Sequence, residues 1–323
     1  MRSILLWLVL FLICLGLGYP TLNRYDPRAT GLTDVRAYYA LVEGKPEQIK
    51  DHRRHRVLVP LLARPFYRLA MGRLGTWDPV LVGLLAANAL LTATTTLLLI
   101  RLGDPRTSLL GGMLYLLNFD TANMKLAGLV DSGEGGFLLA VVASLLAGRW
   151  WLLPLWGVLG ALAKESFVVF AFGLASTWWL ASSRGRSQAL AILAMAAAGL
   201  AALMILRAAP AGHLVWPWQF AASLSRRGNY VAGLKGSILD RHWLFVFLWL
   251  LPLGLPSLRS FPRPWVLASL ATAVSAFLLG AYQEAAPSAV PRALFNIAGP
   301  LLSLSAAASL VELKSSLHRR GVE

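Results

Sequence analysis

Long apolar runs separated by short basic turns set the pattern of this chain. A helix crosses the hydrocarbon core of a bilayer with roughly 20 apolar residues. The runs lie at about 4–18, 79–100, 108–121, 135–147, 151–163, 166–181, 189–206, 243–255, 265–282 and 293–311. They predict an all-α polytopic membrane protein with about ten transmembrane helices. The third to fifth runs are short enough for a re-entrant course, and Asn118 and Asp120 interrupt the third. The first run imitates a signal peptide but shows no small-x-small cleavage site, so it reads as an uncleaved first span.

Charge then orients the spans. The turns RLGDPR, SSRGRS and LRSFPRP and the tail ELKSSLHRR carry Lys and Arg, which collect on the cytoplasmic side of membrane proteins. Both termini are therefore expected in the cytoplasm. The segment 19–77, the stretch KLAGLVDSGEGG, the pair Lys164-Glu165, the segment 207–242 and QEAAPSAVPR fall on the outer face. No internal repeat or linker divides the chain, so residues 1–323 read as one transmembrane domain.

Segment 19–77 is the longest polar stretch. Residues 34–41 suit a short helix with Thr33 as its cap, which sets Asp34 and Tyr38 one turn apart on one face. Residues 56–74 interleave Val57, Leu58, Leu61, Leu62, Phe66 and Leu69 with Arg64, Arg68 and Arg73. That suits a helix lying in the membrane interface, its arginines reaching for water or lipid phosphate. Pro60 and Pro65 are expected to break or kink it. Trp216 and Trp218, in 207–242, suit the headgroup level.

Composition narrows the class. Of 323 residues, 57% are hydrophobic and 14% charged, with mean hydropathy +0.62; soluble domains carry about 25% charged residues. A soluble enzyme is excluded on that ground. The net charge of +15 needs no nucleic acid, because the cytoplasmic turns explain part of it. Segment 19–77 nevertheless holds eleven Lys/Arg against five Asp/Glu, an excess on the outer side that suits an anionic partner. Cys14 is the single cysteine, which rules out an internal disulfide and a thiolate metal site. The five histidines show no HExxH spacing, and His52, His55, His213 and His242 read as solvated.

Candidate chemistry gathers at the outer ends of the spans: Asp34, Tyr38, Arg53, Arg54, Arg56, Asp131, Glu134, Lys164, Glu165 and Arg292. Charges at membrane depth are costly and face a cavity or a partner. Each has a plainer alternative. Asp34 could cap its helix or balance Arg36. The arginines 53, 54 and 56 could attract anionic headgroups. Lys164 and Glu165 could pair with Asp131 or Arg292.

The motifs TDVRAYY, HRVLVP, VDSGEG, ALAKES and PRALFNIAGPLL, in that order along a polytopic chain, resemble the GT-C superfamily. Its members are integral-membrane glycosyltransferases that use polyprenyl-phosphate-linked sugars. The resemblance implies Asp34 as the general base. It implies Arg56, Lys164 and Arg292 as the cations that hold the lipid phosphate. It implies a polyprenyl-phosphate-linked sugar and membrane lipid as partners, and a bacterial-type inner membrane as the location. Asp34 has no acidic neighbour, unlike the paired acids common in that family's first loop, so no divalent metal is carried over and the cofactor stays open. A transporter or flippase of a lipid-linked or anionic solute is the alternative from another class. A membrane scaffold whose charges only set topology is the third.

Overall fold

The computed structural model describes residues 2–24, 33–49, 52–75, 77–182, 184–219, 229–283 and 288–320. Among these residues all regular secondary structure is helical. In chain order the helices are α1 (Arg2–Arg24), α2 (Thr33–Glu43), α3 (Leu58–Ala70), α4 (Pro79–Leu102), α5 (Ser108–Leu117), α6 (Phe119–Asn123), α7 (Asp131–Leu146) and α8 (Leu153–Ala163). They continue with α9 (Ser166–Leu180), α10 (Arg186–Ala211), α11 (Tyr230–Ile238), α12 (His242–Phe247), α13 (Leu250–Gly254), α14 (Arg263–Tyr282) and α15 (Ala289–Arg320). Short 3-10 turns at Pro46–Gln48, His52–His55, Lys125–Ala127, Trp150–Leu152 and Pro256–Ser260 join some of them.

Five helical segments are long and apolar enough to cross a membrane among the described residues: Ser3–Asn23, Pro79–Leu102, Arg186–Ala211, Arg263–Tyr282 and Ala289–Ser316. Ser108–Leu117, Trp150–Ala163, Ser166–Leu180 and His242–Gly254 are apolar but shorter. The chain is thus an all-helical protein of membrane type. α4 and α15 lie at its centre, with most of their apolar windows buried, while α1 and α10 lie at its edge. Leucines and isoleucines such as Ile4, Leu190 and Ile205 project outward there.

Glycine also lets neighbouring helices approach closely. A Cβ on Gly157 would stand 2.3 Å from the Met195 carbonyl oxygen, so the backbones of α8 and α10 are nearly in contact. Small residues permit such packing between apolar helices.

The break expected within the third run is present, and its cause is polar. The Asn118 side chain accepts from the Asp120 amide at 3.0 Å, ending α5 and starting α6. Its Nδ2 donates to the Val246 carbonyl at 2.9 Å, tying the elbow to α12.

Three expectations are corrected. Pro60 and Pro65 do not break α3, which runs unbroken to Ala70. Pro60 sits in the first turn, where no donor is needed. Pro65 lies inside the helix on its exposed side, and the helix continues past it although its ring supplies no amide donor. The stretch VDSG is not a loop: α7 begins at Asp131, four residues before the expected span. The run 243–255 is not one continuous helix but the two short helices α12 and α13. The capping role expected of the Thr33 side chain, and Arg226 and Arg227 of segment 207–242, lie outside the described residues and side chains.

Candidate functional site

Five elements meet at one end of the bundle: α2, the turn His52–His55, the start of α7, the α8–α9 junction and the start of α15. Local geometry aims their side chains. Lys164 is extended between two helices (φ −162°, ψ 136°), so it and Glu165 project in different directions. Gly128 adopts φ +89° at the end of the turn before α7, a conformation natural to glycine. α7 then opens with Asp131 and Glu134 in its first turn, where acidic groups suit the helix dipole.

The result is a branched ion-pair network. Arg56 donates to both oxygens of Glu165, at 2.9 and 2.6 Å, and to the Tyr38 hydroxyl at 2.9 Å. Lys164 Nζ donates to Asp131 at 2.7 Å and to Glu134 at 2.9 Å. Arg292 donates to the other oxygen of Asp131 at 2.7 Å. Asn296 and Ser166 both donate to Glu134. At the rim Arg53 donates to Asp34 at 2.7 Å.

Exposure grades from floor to rim. Glu134 is fully buried, whereas the side chains of Asp34 and Arg53 are 32% and 23% exposed. Asp34 is therefore reachable from water while remaining near enough for its charge to act on Tyr38 and Arg292. Burial pushes the Tyr38 hydroxyl up to about 12 against the pull of Arg56, so it stays a neutral phenol.

Nine of the ten candidate residues belong to this assembly. Arg54 makes no hydrogen bond or ion pair among the described residues. It lies beside His55, whose ring is pushed down to about 4 by burial, with Arg207 and Arg54 adding to the effect. His55 is thus half-buried and neutral, not solvated. His242 is not free either, since it pairs with Asp240 at 2.7 Å; His213 is exposed. Both plainer pairings expected of Lys164 and Glu165 are answered: Lys164 does pair with Asp131, and Glu165 takes Arg56.

The four carboxylates Asp34, Asp131, Glu134 and Glu165 face the four cations Arg53, Arg56, Lys164 and Arg292, a net charge of zero. Arg54 and Arg207 stand beside this balanced set, so the local excess is positive.

Sequence reasoning noted Lys125 but gave it no role. It is fully buried, its Nζ 2.8 Å from the Tyr115 hydroxyl, 3.9 Å from Asp120 and over the rings of Tyr115 and Phe295. Asn296, Ser166 and the Ser132–Asn88 hydrogen bond were also missed. Only the two charges in an apolar run, Asp120 and Lys125, left a sequence signal; Ser and Asn are ordinary inside membrane helices.

An apolar groove of about 470 Å³ runs between α4, α7 and the start of α8, reaching the first turn of α7 that carries Glu134. Gly133, between Ser132 and Glu134, lines its upper end, and Leu102, Ala147 and Arg149 its lower end. Among the described residues no cluster of His, Cys, Asp and Glu has the arrangement of a metal site. No protein-family model, curated protein or solved structure matches this chain.

Proposed function

We propose that this chain is a GT-C-type membrane glycosyltransferase with about ten spans. It moves a sugar from a polyprenyl-phosphate donor to an acceptor at the outer face of a bacterial-type inner membrane. One observation carries the reading: an exposed carboxylate, Asp34, held by Arg53, stands near a set of largely buried cations, Arg56, Lys164 and Arg292, close to one end of an apolar groove. A lipid-linked phosphate needs all three parts.

Asp34 takes the proton of the acceptor hydroxyl as that oxygen attacks the anomeric carbon. The bond from that carbon to the phosphate oxygen breaks, and the lipid phosphate leaves with the electron pair. Arg56, Lys164 and Arg292 stabilise the negative charge that develops there. Because they are already held by carboxylates, they are oriented before substrate arrives. Arg53 fixes Asp34 at the rim, Arg54 adds positive charge, and the groove receives hydrocarbon chain. The reading rests on the motifs quoted above together with this geometry.

The test is transfer of a labelled sugar from a polyprenyl-phosphate donor by purified protein in lipid. Asp34→Asn is expected to abolish transfer without loss of folding, and normal transfer by that variant overturns the assignment. Transport of a lipid-linked or anionic solute is the second reading, favoured by the fully buried Lys125–Asp120 pair; ionisable groups inside the membrane often mark transport paths. Solute flux across proteoliposomes without sugar transfer would decide for it.

A further inference from the structure

A second cationic surface lies on α3, away from the network. A cleft of about 530 Å³ is lined by Leu61, Arg64, Pro65, Arg68, Leu69 and Arg73. Arg64 and Arg68 stand one helical turn apart, and Arg73 follows Gly72, whose φ of +72° turns the chain. Among the described residues none of the three guanidinium groups meets a carboxylate. Arg64 donates to the Leu41 carbonyl at 3.3 and 2.9 Å, and Arg73 to the Leu69 carbonyl at 3.3 Å. Arg68 is exposed and makes no hydrogen bond within the described chain. Leu61, Leu69, Met71 and Leu74 are exposed along the same stretch.

Three cations without acidic partners, set among exposed apolar side chains, match a molecule with an anionic head and a hydrocarbon body. We propose that this cleft binds an anionic phospholipid of the surrounding bilayer. Its phosphodiester lies between the guanidinium groups, and its acyl chains lie along Leu61 and Leu69. A guanidinium fork matches phosphate oxygens in pairs. A basic amphipathic helix at a bilayer surface is drawn to anionic lipid. This cleft differs from the donor site, where the cations are buried and already paired.

The site also has a line to α2. Arg64 holds the Leu41 carbonyl near the end of α2, and α2 carries Asp34 and Tyr38. A bound headgroup therefore steadies α3 and, through Arg64, the helix that presents the rim carboxylate.

The experiment uses the full chain in nanodiscs of phosphatidylcholine, with and without phosphatidylglycerol, read by native mass spectrometry and by thermal unfolding. The wild type is expected to retain phosphatidylglycerol over phosphatidylcholine and to melt higher in its presence. Arg68→Gln with Arg73→Gln is expected to weaken retention roughly 30-fold, with unchanged melting in phosphatidylcholine alone. Adding Arg64→Gln removes retention. Asp34→Asn keeps it, which separates this proposal from the catalytic one. Equal retention of the two lipids by the wild type, or undiminished phosphatidylglycerol retention by the arginine variants, overturns the proposal. So does equal binding of soluble glycerol phosphate with no preference for the lipid.

Discussion

Arg56 and Glu165, 109 positions apart, form a two-bonded pair at 2.9 and 2.6 Å that joins the turn before α3 to the α8–α9 junction. Both side chains are largely buried. Removing one partner leaves the other charge buried and unmatched, which costs roughly 3–5 kcal/mol. Arg56→Met and Glu165→Gln are each expected to lower thermal stability in detergent by that order. The double variant should lose less than the sum of the two. Strict additivity in the melting data would mean that the two side chains do not interact.

Asp34→Asn keeps the size of the side chain and an acceptor for Arg53 but removes the base. A positioned general base contributes about 10²–10⁴-fold to rate. Sugar transfer is expected to fall by that factor while the melting temperature moves little. Initial rates at saturating donor are the measurement.

His55 gives a pH signature. Its folded value of about 4 lies below its ordinary 6.5 because of burial, reinforced by Arg207 and Arg54 and opposed by Glu165 and the Leu206 backbone. The unfolded chain therefore takes up a proton first as pH falls. The stability linked to this group is complete above about pH 6.5 and declines as pH drops toward 4. His55→Gln is expected to flatten the melting curve in that window and leave alkaline behaviour unchanged.

Gly135 faces the second buried cluster. A Cβ there would stand 2.7 Å from Asn296 Oδ1 and 2.9 Å from Lys125 Nζ. Overpacking of this kind costs roughly 1–3 kcal/mol. Gly135→Ala is expected to lower the melting temperature, whereas Gly16→Ala, with nothing within 4 Å, should not.

Much of the site was legible because charges are rare in this chain. Asp131, Lys164, Glu165 and Arg292 stand out of apolar surroundings, and the expense of placing such groups in lipid says they must meet something. The Lys164–Asp131 pair was among the pairings the sequence offered, but the Arg56–Glu165 pair was not legible, because it depends on a one-residue extended junction that no local pattern announces. Helix starts were harder still. Asp131 and Glu134 read as loop residues beside glycines, yet the helix takes them into its first turn, where their charge favours it. The prolines of α3 misled because their cost depends on position in the turn and on exposure, and neither is written in the residue type.

Asp131 and Glu134 also bear on how the protein is made. Their partners Arg292 and Asn296 lie 161 and 162 positions downstream, on α15. A ribosome delivers the acids long before those partners, with Lys164 as an early companion only. The pocket therefore cannot close until α15 has been made, and a nascent chain halted before α15 would hold its acids half-neutralised.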